Sequence, residues 1–104
     1  MRSNANNWTV AFTPVPEEMP LNEVFEITTW VTGSGEVQSL RVDAAMPGHG
    51  HGMMTTPVTT LQPDGSYLTS GMLLHMPGAW EVYFDILYED DIIERAQTSL
   101  TLDP

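Results

Sequence analysis

Trp80-Glu81-Val82-Tyr83-Phe84-Asp85-Ile86-Leu87-Tyr88 decides the fold. Large apolar side chains stand at 80, 82, 84, 86 and 88, with Glu81, Tyr83 and Asp85 among the residues between them. Successive side chains of an extended chain point to opposite faces, so this alternation marks a half-buried strand. A helix would scatter the same five residues around its circumference. Downstream, Glu89-Asp90-Asp91 reads as a turn, and Ile92 to Leu102 as a closing strand. Upstream, Pro77-Gly78 breaks the chain before the run begins.

Working further back, Ser66 to Leu74 and Pro57 to Leu61 read as two strands. Pro63-Asp64-Gly65 joins them, because Pro presets φ and Gly accepts the left-handed conformation. Val37 to Met46 is another strand, with Leu40, Val42, Ala44 and Met46 on one face. Before the turn at Gly33-Ser34-Gly35, Phe25, Ile27, Thr29 and Val31 share a face; Trp8, Val10 and Phe12 share another. Thr13 to Pro20 holds three prolines, which forbid a central strand and suggest an edge crossing. No segment has helical periodicity. About seven antiparallel strands with turn signals every ~8–12 residues give an all-β, immunoglobulin-like β-sandwich. A seven-stranded barrel is the alternative. The expectation is one domain over 1–104, with 1–7 as a flexible tail.

Composition narrows the function. There are 14 acidic residues against 3 arginines, for a formal charge of −11. Such a surface repels nucleic acid and anionic lipid, and suits a cation. No cysteine is present, which removes disulfides, thiolate nucleophiles and zinc-finger sites. No apolar run approaches the ~20 residues needed to cross a bilayer. The polar start, Met1-Arg2-Ser3-Asn4-Ala5-Asn6-Asn7, has no apolar signal core, so a signal or anchor is expected to have been removed.

The chemistry concentrates in two stretches, Met46-Pro47-Gly48-His49-Gly50-His51-Gly52-Met53-Met54 and Met72-Leu73-Leu74-His75-Met76-Pro77-Gly78. They hold all 3 histidines and five of the 7 methionines. In an extended segment, residues i and i+2 lie on one side, ~6.5–7 Å apart. His49, His51 and Met53 would then form an imidazole–imidazole–thioether comb on one loop. In the second stretch, strand parity sends His75 and Met76 to opposite faces, with Met76 beside Leu74. His75 is the better candidate, because a core accepts the thioether. Met46 shares the apolar face of Val42 and Ala44 and is a doubtful ligand. Met54 is packing or a further soft donor.

Imidazole suits copper, zinc and nickel, and thioether favours Cu(I), so His and Met without Cys point to copper. The metal set is His49, His51, His75 and Met53, with Met46, Met54 and Met76 in reserve. The bland reading is a glycine-rich loop carrying exposed histidines. Glu89-Asp90-Asp91 matches no calcium loop. No Gly-x-Ser-x-Gly elbow exists, and no base or substrate cleft suggests an enzyme. Trp30 lies opposite the apolar parity of its strand and marks an open face or a contact surface.

The run from Met46 to Met53, then Pro57, Gly65-x-Tyr67 and His75-Met76-Pro77-Gly78-x-Trp80, resembles the YtkA-like family, related to FixH-type proteins of cytochrome oxidase assembly. The resemblance covers residues 22–102. It implies an immunoglobulin-like sandwich exported across, or anchored outside, a bacterial membrane, near copper-handling functions. Met76, Gly78 and Trp80 match the family's later Met-x-Gly-x-Trp pattern, which also fits a structural corner. A looser similarity exists to periplasmic PCuAC-type copper chaperones, whose His and Met spacings are not reproduced here. The expectation is an extracytoplasmic or periplasmic copper protein for chaperoning, delivery or sequestration of Cu(I) or Cu(II). Its partners would be the copper ion and a copper-accepting or membrane protein. The alternative is a metal-free module that binds a membrane partner such as a cytochrome oxidase assembly complex.

Overall fold

The computed structural model describes all 104 residues. Eight strands follow in order: β1 Trp8–Val15, β2 Phe25–Gly33, β3 Val37–Met46, β4 His51–Gly52, β5 Val58–Leu61, β6 Tyr67–Met72, β7 Gly78–Tyr88 and β8 Ile92–Leu102. They form two four-stranded antiparallel sheets, β1-β2-β6-β5 and β4-β3-β7-β8. The β-sandwich expected from the sequence is the fold observed.

The core lies between the sheets and follows the strand parities. Trp80, Val82, Phe84, Ile86 and Tyr88 of β7 are all buried. They meet Leu40, Val42, Ala44 and Met46 of β3 and Ala96 of β8 within their sheet. Trp8, Val10, Phe25 and Ile27 face them from the other sheet. Burial of this kind contributes about 25 cal/mol per Å2 of apolar surface, and it is the main force holding the sheets together. Pro14 sits in β1, an edge strand, where its missing N–H interrupts no interior ladder. At the β5–β6 hairpin, Asp64 accepts hydrogen bonds from the Ser66 N–H and hydroxyl, and Gly65 takes φ +90°.

Four details differ from the sequence reading. The strand count is eight because His51–Gly52 pairs briefly with the end of β3. A single 3-10 turn, Pro47–His49, interrupts the otherwise all-β chain; Pro supplies a helical φ at its first position. β6 stops at Met72, with Leu73 and Leu74 outside it. Gly71, at φ +81°, sits in a bulge where Phe25 pairs with Met72 but Ile27 pairs with Thr69. The bulge turns both Thr69 and Met72 inward. Finally, residues 1–7 fold back onto the sandwich. Ser3 is buried and donates through its hydroxyl to Glu94 at 2.6 Å, while Asn4 N–H reaches the Arg95 carbonyl at 2.8 Å.

Candidate metal centre

One end of the sandwich gathers the three histidines. The 3-10 turn carries His49, and Gly50 at φ +67° reverses the chain just after it. That reversal lays His51 directly opposite Met46 on the end of β3. Side chains of directly opposed residues share a sheet face. Met46 points into the core, so the His51 ring also turns to the inner side. His75 arrives from the segment between β6 and β7. Its ring lies 5.4 Å from that of His51, and the His51 ring lies 5.9 Å from that of His49.

Trp80 forms the floor. It is fully buried, and its indole stands edge-to-face with His75 at 5.6 Å and with His51 at 6.3 Å. Its Nε1–H donates to the Met76 carbonyl at 2.9 Å, which ties the His75 segment to the start of β7. The sequence placed Trp80 in the core with Val82 and Phe84, and it is there. Its contact with two imidazoles was not legible, because a core tryptophan reads the same whatever lies above it.

The nitrogens are not equivalent. His51 Nδ1 lies 3.1 Å from the Gly52 carbonyl, an acceptor, so Nδ1 carries the proton and Nε2 keeps a free lone pair. His75 Nδ1 is buried without a hydrogen-bond partner. The Trp8 indole N–H and the Thr29 hydroxyl are also buried and unpartnered, but neither is a metal ligand. An unpartnered buried nitrogen costs about 1–3 kcal/mol, and a bound cation would relieve that cost. Metal–imidazole bonds are about 2.0–2.1 Å, so two rings sharing an ion stand on the order of 5–6 Å apart, centre to centre. The observed spacings lie in that range. No three His, Cys, Asp or Glu side chains already converge on one point, so the rings must rotate to share an ion.

The methionines are placed less favourably. Met46 is fully buried, and its Cε fills the space where Gly78, at φ +124°, lacks a side chain. Met53 does not extend a comb, because His49 is in a turn rather than a strand. Its sulfur instead lies 3.5 Å from the Leu73 amide, which donates to it. Met54 is 77% exposed. Met76 is half-buried against the core. The histidines are thus brought together, while the sulfurs stand around them in four separate environments.

The outer face of the same sheet is ionic. Arg95 makes a forked pair with Asp85, at 2.7 and 3.0 Å, and lies over the Tyr83 ring. The Tyr83 hydroxyl donates to Glu81, which pushes the Tyr83 hydroxyl up from its ordinary range. Glu81 and Asp85 face outward, as their parity requires.

Comparison with known families matches residues 2–85 to the YtkA-like family. The match begins earlier than the motifs alone indicated and ends before β8. No curated protein and no solved structure matches the chain significantly. The match takes in both histidine segments and most of the strands that hold them, and the chain belongs to the YtkA-like family.

Proposed function

We propose that this domain binds a copper ion outside the cytoplasm and serves its chaperoning, delivery or sequestration. The observation that carries this reading is the row of three imidazoles, two of them against Trp80, with His75 Nδ1 buried and unpartnered. Imidazole from two chain segments can grip an ion, and an exposed His49 lets it enter and leave. Thioethers within the same loops favour copper over zinc, because soft sulfur selects Cu(I). Met76 follows His75 directly and Met53 and Met54 follow His51 closely, while Met46 is fully buried in the core. No helix is long and apolar enough to cross a membrane, so this part of the chain would meet its partner as a folded β domain.

The test is a Cu(I) and Cu(II) titration against a competing chelator, comparing wild type with His49→Ala/His51→Ala. Near-stoichiometric binding by wild type and its loss in the variant are expected. Equal binding by both proteins would overturn the site. The metal-free assembly module is favoured by a different observation: Trp30 is 44% exposed on the outer face of its sheet, beside Ala11. Absence of copper binding in wild type would leave that reading standing.

A further inference from the structure

The four sheet edges are not alike. β1 carries Pro14. β4 has two residues. β5 has four, between Pro57 and Pro63. Short strands and prolines are the usual guards against edge-to-edge pairing. β8 has none of these. It runs for 11 residues, keeps unbroken register with β7, and carries no proline and no charge from Ala96 to Leu102.

Asn4 fixes which groups on this edge are free. The Asn4 N–H donates to the Arg95 carbonyl at 2.8 Å, and the Arg95 N–H donates to Asn4 Oδ1 at 3.2 Å. Both main-chain groups of Arg95 therefore point out of the sheet. Strand periodicity gives Gln97, Ser99 and Thr101 the same orientation. All three are exposed, and none of their main-chain groups bonds elsewhere in the chain.

We infer that β8 pairs antiparallel with β8 of a second copy of this chain, about a two-fold axis through Ser99. Only that register sets all three free residues against one another: Ser99 opposite Ser99, and Gln97 opposite Thr101 in both directions. About six main-chain hydrogen bonds follow, one from each free N–H and C=O. Asn4 already fills the place opposite Arg95, so the pairing runs from Ala96 to Leu102 and goes no further. Each copy carries −11, and the copies meet along this uncharged segment, where repulsion is least. On the inner face, half-buried Leu100 and Leu102 meet Thr98 and Ala96 of the second copy. The two four-stranded sheets become one continuous sheet. This inference is independent of copper.

Sedimentation of the metal-free wild type over a range of concentration tests it. A monomer–dimer equilibrium is expected. Ser99→Pro should give monomer at every concentration with unchanged melting, because the Ser99 N–H serves no bond within the chain. Ser99→Ala should keep the dimer, and Ser99→Asp, which sets two carboxylates opposite each other, should weaken it at least several-fold. In wild type, the amides of Gln97, Ser99 and Thr101 should exchange at least ~10-fold more slowly at high than at low concentration. A wild type that stays monomeric near 1 mM, roughly the weakest useful affinity, overturns the inference and leaves the edge to a strand of another protein. So does a Ser99→Pro variant that dimerises like wild type, or amides whose exchange ignores concentration.

Discussion

β7 joins two ends of the molecule whose buried ionisable side chains are served in opposite ways. Trp80, near its start, floors the histidine cluster; Tyr88, at its end, touches Glu94. Eight residues of strand, about 26 Å, separate them. Glu94 is buried but fully served: it accepts from the Ser3 hydroxyl, from the Asn7 main-chain and side-chain N–H groups, and from the Tyr88 hydroxyl. Burial alone would push its carboxyl up; these donors outweigh that and hold it at about 2. His75 presents the reverse case, with a buried nitrogen that nothing in the protein serves. A satisfied buried charge tightens a structure, while an unsatisfied buried nitrogen leaves a place for a partner. The difference is the physical ground for proposing ligand binding at one end and stability at the other.

The largest expected effect tests whether Met46 belongs to the binding end at all. It is fully buried, so Met46→Ala should destabilise the domain by about 2–5 kcal/mol in chemical denaturation. Copper affinity, measured on the folded fraction, should stay at the wild-type value. Affinity lost with stability intact would move Met46 from the core into the site.

Next comes the closed end. Glu94→Ala should cost of order 1–3 kcal/mol, because the Ser3, Asn7 and Tyr88 donors lose their acceptor. Acid should do the same by degrees. The folded carboxyl sits at about 2 against an ordinary 4.5, so its contribution is complete above about pH 5 and is lost as pH falls towards 2. Tryptophan fluorescence should report this loosening through Trp8, which packs on Tyr88. A Glu94→Gln variant should lack that acid-dependent part. An identical acid profile in the variant would mean that another carboxylate closes this end.

The smallest effect has the opposite sign. His75→Phe fills the same space without the stranded nitrogen, and should leave the apo domain unchanged or more stable by up to about 1 kcal/mol. Copper affinity should fall at the same time. A clear loss of stability would show that His75 already has a structural partner, and the contrast between the two ends would fail.

Much of this was legible locally. β3 runs from Val37 to Met46 as its parity indicated, and every even residue of β7 from Trp80 to Tyr88 is buried. Those runs bury one face along their whole length, so pattern and structure coincide. The sequence also brought His49, His51 and His75 into one proposal. What escaped it depends on partners far away in the chain. Ser3 and Asn7 look like a polar tail until Glu94 lies beneath them. The Pro47–His49 turn breaks the extended parity that set Met53 beside the histidines, and Met53 finds the Leu73 amide instead. Parity is a property of strands, and it fails wherever the ladder is interrupted.

The contact between Ser3 and Glu94 spans 91 residues. On a ribosome, residues 1–7 emerge long before their acceptor exists. The opening segment must wait, unprotected, until β8 arrives and supplies Glu94 and the Arg95 carbonyl. What looks like the start of the domain is thus among its final pieces to be fixed. A protease that cuts between Met1 and Trp8 would report, moment by moment, whether the last strand has been laid down.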